Sequence, residues 1–270
     1  MTTTTTVPAA RRSEGPQARP AGVLALTLRY AGAAVLENFR IPMSVIGSLA
    51  FPVLALCFFV LPMAEVRENH EFATEAIFSM VVFAFMTNGL FSFGLDVAQR
   101  RAKAWGPYLR TLPGRPTAAV AGLVLSTLTF AVLAAIPVFA VGFLFTQARP
   151  QPLDAIAAFL VVIVTAVPSA LIGLVIGTLC SEKAAIGVTQ LVMFTMAFAS
   201  GLLMPPLMFP QWLEFATRFL PVRAARDLVV QLALGEPAPA WSLPVLALWT
   251  VGLAVVAVLL VRRDEGRRFR

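Results

Sequence analysis

The chain has 270 residues, of which 59% are hydrophobic and only 13% charged, with a net charge of +7. Soluble domains carry about a quarter charged residues, so this balance excludes an ordinary soluble domain and predicts an all-α polytopic membrane protein. In a soluble chain the positive charge would point to nucleic acid; here the cations fall where they report membrane orientation, and no nucleic-acid partner is expected.

Residues 1–20 are rich in Thr, Pro and Arg, with no apolar run after the charges and no small-residue cleavage site. They read as a disordered cytoplasmic tail rather than a secretory signal. From 21 to 40, Leu24, Leu28, Val35 and Phe39 recur near one helical face while Arg29, Glu37 and Arg40 fall elsewhere. The pattern predicts an N-terminal helix lying in the membrane interface, or else a ragged extension of the first span.

A spanning helix needs about 20 mostly apolar residues. Six segments qualify: Ile41–Met63, Ala76–Leu95, Thr117–Phe145, Ala155–Cys180, Ala184–Met204 and Trp241–Val261, none containing Asp, Glu, Lys, Arg or His. Pro52, Pro137 and Pro168 predict kinks in three of them. With the N-terminus inside, sixteen of the 21 cations fall on the cytoplasmic side and five outside, among them Arg218, Arg223 and Arg226 in the last external loop. Both termini are therefore expected in the cytoplasm of a multi-pass protein of the cell membrane, the C-terminal one as a basic tail over 263–270.

Between spans two and three lies "AQRRAKAWGPYLRTLPGRP", Ala98 to Pro116, with five cations and no acid. The second helix can continue through Arg101 and Lys103 until Gly106-Pro107 breaks it. Proline opens a new turn readily, and Pro113-Gly114 stops that turn, so Tyr108, Leu109, Arg110 and Leu112 stand on a short cytoplasmic helix. Two uses fit: a docking element for a soluble partner, in which aromatic and Arg anchors dominate, or a basic loop pinning the helices to anionic lipid.

Between spans five and six, Pro210 and Pro221 divide a stretch too interrupted to span. Trp212, Phe215 and Phe219 recur at i, i+3, i+7, and Leu228, Val229, Leu232 and Leu234 give the second piece an apolar side. Either two short amphipathic helices dip into the outer leaflet, or an external loop carries apolar anchors.

The residue inventory argues against catalysis in this chain. Its one histidine, His70, sits outside the spans, so neither a Ser/His protease nor a histidine-ligated metal site within the membrane is expected. Cys57 and Cys180 have neither CxxC spacing nor nearby histidine and read as small apolar packers. No GxxxxGK[ST] loop is present to cradle nucleotide phosphates. The absence of an ionisable residue within a span counts against a proton-coupled carrier. An ATP-independent carrier and a membrane adaptor remain as alternative functions. Asn88, Gln190, Thr195 and Ser200 are candidates to line a substrate path or to bond to neighbouring helices, and the Gly173, Gly177 pair permits close helix approach.

Taken in order, these elements resemble the ABC-2 type permeases, the membrane subunits of ATP-driven exporters, over about residues 20–262. The resemblance rests on the N-terminal helix, the six-span frame, and an insertion with Arg101, Gly106, Leu109, Arg110 and Pro113 in the order basic–Gly–x–x–Leu-Arg–x–x–Pro. It rests also on "SGLLMPP", Ser200 to Pro206, leading into "WLEFATRFLPVRAARDLV". Ala98, Gln99 and Ala102 stand where many members carry acids. The resemblance implies one transmembrane domain over 21–262. It implies that the insertion is a coupling helix, seated in a separate ABC ATPase through Arg101, Trp105, Gly106, Tyr108, Leu109, Arg110, Leu112 and Pro113. ATP and Mg would bind that partner, with no cofactor in this chain. A second permease chain, identical or different, would complete the path, and Trp212, Phe215 and Phe219 would lie on external re-entrant helices. The implied cargo is an exported drug, antibiotic or lipid-like molecule.

Overall fold

The computed structural model describes residues 22–40, 42–102 and 116–267. An apolar segment in lipid must satisfy its own backbone, which a helix does within a single segment; the described residues are accordingly helical, without strands. In chain order, α1 spans Val23–Phe39, α2 Pro42–Ala55, α3 Ala64–Glu68, α4 His70–Ala102, α5 Pro116–Phe145 and α6 Pro152–Thr165. Then follow α7 Val167–Leu179, α8 Glu182–Ala199, α9 Gln211–Thr217, α10 Pro221–Ala233 and α11 Ser242–Arg267.

Four helical stretches are long and apolar enough to cross a bilayer: His70–Ala102, Val120–Phe145, Pro152–Leu179 and Ser242–Leu260. The other two expected spans are shorter. Ile41–Met63 is not one regular helix: α2 passes into a π turn, Leu56–Val60, where the Leu61 N–H reaches back to Leu56 O at 3.1 Å. Pro52, inside α2, separately removes a donor from the ladder and crowds the turn before it. The expected Ala184–Met204 span stops at Ala199, because Gly201 takes a φ of 75° and the Leu202 N–H turns back to Ala197 O at 3.1 Å. Its 18 residues give about 27 Å of helix.

Three boundaries also differ from expectation. α4 overruns Ala76–Leu95 at both ends and reaches about 50 Å over its 33 residues. The Ala155–Cys180 segment is interrupted at Ala166, two residues before Pro168, which has no N–H to donate to the ladder. α11 continues past Val261 through Arg267, into the stretch read as a basic tail.

α4 is the axis of the fold. Phe78, Phe83, Phe85, Met80, Met86 and Leu90 along it are fully buried, and α2, α5, α7, α8 and α10 pack around it. The outer helices invert the pattern of a soluble protein: α11 exposes Leu248 (73%) and Val251 (63%), α6 Leu153 (78%). Such apolar faces suit lipid rather than water. α1 lies along α5, seated by Ala31 and by Phe39 against Phe130 at 5.3 Å, with Leu24, Leu28 and Leu36 exposed.

Candidate functional sites

The seam between α4 and α7 is built from glycine. A β-carbon on Gly173 would lie 2.6 Å from Leu90 O, and one on Gly177 2.6 Å from Gly94 O. Gly89 in turn approaches the Ala170 backbone, where a β-carbon would meet its nitrogen at 3.2 Å. The Gly173, Gly177 pair is therefore used within the chain, bringing two backbones into contact. At the end of this seam α7 stops at Leu179, leaving its last carbonyls without intrahelical partners. Arg101, on the last turn of α4, fills that gap: its Nη1 donates to Gly177 O at 3.2 Å and to Thr178 O. A cation at a helix C-terminus complements the negative end of the dipole. Of the residues expected to dock an ATPase, Arg101 is the one described. Trp105, Gly106, Tyr108, Leu109, Arg110, Leu112 and Pro113 lie outside the described residues.

The four candidate path residues do not converge within the subunit. Asn88 is 5% exposed in the middle of α4, and its Nδ2 donates to Ala84 O at 2.9 Å on its own helix. Ser200 is buried where α8 ends. Gln190 and Thr195 lie on the exposed side of α8, which buries Ala185, Thr189, Met193 and Ala197, every fourth residue, and leaves most others outside. Thr195 borders an open groove of about 520 Å³ whose other walls include Phe194, Phe198, Met204, Phe209 and Leu213. One hydroxyl among aromatic and thioether groups suits an apolar guest with little hydrogen-bonding demand.

The structure also holds a site that the sequence reading missed. Arg223 and Arg226, counted as external loop cations, are instead 5% exposed on α10, which is packed among α4, α6 and α11. Arg226 Nε donates to Ser79 Oγ at 3.1 Å, its Nη1 to Asp227 Oδ1 at 2.7 Å, and its Nη2 to Glu75 Oε1. Arg223 Nε donates to Asp227 Oδ2 at 2.7 Å, while its Nη1 is buried without a hydrogen-bond partner among the described residues. Two guanidiniums and two carboxylates thus neutralise one another where α10 meets α4. The available signal was the spacing Arg-x-x-Arg-Asp just after Pro221, with Glu75 immediately before the expected second span. Trp212 and Phe215 on α9 are 71% and 64% exposed, and Phe219, just past its end, is 59% exposed, an apolar edge beside the Glu214–Arg218 pair at 2.6 Å. Trp249 Nε1 on α11 donates to Phe219 O at 2.7 Å and holds that edge in place.

Comparison with known proteins bears directly on this arrangement. A chain from Bacillus subtilis (strain 168) named "Putative transport permease YvfS" is 21% identical over 178 residues, covering 66% of this chain and 73% of that one. The sequence model of the ABC-2 type transporter family matches residues 29–234, from α1 through the end of α10. The match covers well over half of the chain, and the chain belongs to the ABC-2 type transporter family.

Proposed function

We propose that this chain is the permease subunit of an ATP-binding cassette exporter, driven by a separate ATPase subunit that binds the ATP and Mg. Family membership makes it a membrane transport component. The observation that carries the finer reading is the course of α4. This buried axial helix ends at Ala102, and the chain passes directly into Lys103–Arg115, with its cations, Trp105 and Tyr108, before α5 begins at Pro116. A segment joined to the core helix in this way is suited to receive a push and deliver it to the whole bundle.

The rest of the arrangement follows from that role. Six spans, with α2 and α8 as the two shorter ones, put both termini in the cytoplasm of a cytoplasmic-membrane protein. α1 lies at the inner interface with Leu24 and Leu28 toward lipid, and α9 and α10 close the external end. Two permease chains, identical or different, face each other across the exposed side of α8, so that Gln190 and Thr195 border the path between them. The apolar walls beside Thr195 favour a drug-, antibiotic- or lipid-like cargo over a polar solute.

The test is to tag the chain in its native host, solubilise it mildly and identify what co-purifies, beside a variant carrying Tyr108→Ala, Leu109→Ala and Arg110→Ala. An ABC ATPase should accompany the native chain and be lost from the variant. Absence of an ATPase from both forms in several mild detergents would remove the ATP-driven reading and bring an adaptor or ATP-independent carrier forward.

A further inference from the structure

We propose that Arg101 is a positioning residue that fastens the end of α4 to the end of α7, acting inside the membrane subunit rather than as a contact to the ATPase. The proposal rests on the coupling reading above, and it reassigns one residue of that element.

Arg101 Nη1 is directed to two successive carbonyls, Gly177 O and Thr178 O, on the last turn of α7. These carbonyls belong to the negative end of a helix that has run out of backbone donors, so a guanidinium there answers both the hydrogen-bonding and the dipole requirement. A guanidinium spreads its charge over a rigid fork, whereas an ammonium offers a compact point charge. Here one nitrogen of that fork meets both neighbouring acceptors, so a lysine ammonium can supply much of the same tie.

The surroundings of the tie reinforce it. A β-carbon on Gly177 would lie 2.6 Å from Gly94 O and 2.9 Å from Phe93 O, so no side chain there cushions α4 from α7. One turn before Arg101, Ala98 is 2% exposed and packs with Ile176 of α7 and Ala185 of α8. The end of α4 is thus joined to α7 by a backbone contact, an apolar cluster and a charge-assisted tie. Packed interfaces of this kind move as units rather than deforming gradually. Since Lys103 follows within two residues, displacement of the insertion reaches α4 and α7 together.

The experiment uses the full chain with Cys57→Ser and Cys180→Ser, and spin labels on Arg100→Cys and Leu179→Cys, two exposed positions at the joined ends. Distances are measured in lipid nanodiscs with Arg101 native, Arg101→Lys and Arg101→Met, and the co-purified ATPase is quantified for each. The native form should give one narrow distance that is unchanged by ATP, Mg and vanadate. Arg101→Met should lose that narrow distance, Arg101→Lys should retain much of it, and all three should bring down equal ATPase. A distance as narrow in Arg101→Met as in the native form, or a native distance that shifts with ATP, would overturn the fastening. Loss of the ATPase from Arg101→Met alone would make Arg101 a docking contact and overturn the proposal. If the native chain brings down no ATPase, the coupling reading fails, and the lipid-only distances still decide whether Arg101 fastens the helices.

Discussion

Arg226 reaches α4 at two points, Glu75 and Ser79, and binds Asp227 on its own helix. Removing one partner of such a buried pair leaves an uncompensated charge, which costs about 3–5 kcal/mol, whereas removing opposite charges together costs far less. Arg226→Met should therefore lower the thermal midpoint of the detergent-solubilised protein strongly. Adding Glu75→Gln should recover a large part of the loss, because Arg223 and Asp227 remain as a neutral pair at 2.7 Å. A double variant no more stable than Arg226→Met would show that Glu75 and Arg226 are not energetically coupled. Ser79→Ala removes a single acceptor and should cost about 1.5–3 kcal/mol in the same measurement, as befits a hydrogen bond to a charged group.

Two helix pairs set the geometry at the scale of elements. The α4–α7 seam depends on the absence of β-carbons, and the consequence separates glycines that look alike in sequence. Gly177→Ala must push against Gly94 O, a backbone atom that cannot rotate away. It should cost about 1–3 kcal/mol, the usual range for overpacking. Gly187→Ala on α8 meets nothing within 4 Å and replaces a poor helix former. It should be neutral or slightly stabilising. Midpoints from thermal unfolding followed by size-exclusion recovery test the contrast, and equal effects at the two positions would count against the seam. α10 is the second element whose role is set by packing. Its apolar residues Val222, Leu228 and Val229 are buried as an amphipathic reading requires, but so are Arg223, Arg226 and Asp227. It is an internal helix whose polar face is neutralised only together with Glu75 of α4, not a helix resting on the edge of the bundle.

For the whole molecule, the proposed orientation has a direct test. In the Cys57→Ser, Cys180→Ser background, Arg149→Cys should react in intact cells with a membrane-impermeant maleimide, while Lys183→Cys should react only after permeabilisation. Both positions are exposed in the subunit, so accessibility reports membrane side rather than burial. The opposite labelling pattern would invert the topology and place the insertion after α4 outside, where it could not meet a cytoplasmic ATPase. Moving Arg223 and Arg226 from the external loop into the protein interior sharpens the cation asymmetry on which the orientation rests.

The helical class, the greasy segments and the cationic insertion were legible without a structure. Each depends on composition over twenty or so consecutive residues, and lipid imposes the same backbone requirement on any such segment. Pro168 likewise announced an interruption that appears at Ala166, since a proline within a helix removes a donor from the preceding turn. The partners of Arg101, Arg226 and Gly177 were not legible. Arg101 meets Thr178 across 77 positions of chain, and Arg226 meets Glu75 across 151. Periodicity along one segment carries no information about which face of a distant segment will lie opposite. The sequence by itself determined that the chain must form apolar helices and which segments carry most of the cations. Only the tertiary structure decided that two arginines read as loop cations are core residues, that a GxxxG pair serves α4, and that Arg101 caps α7. These outcomes are set by pairing between helices, where burial, backbone clearance and charge neutralisation are settled together.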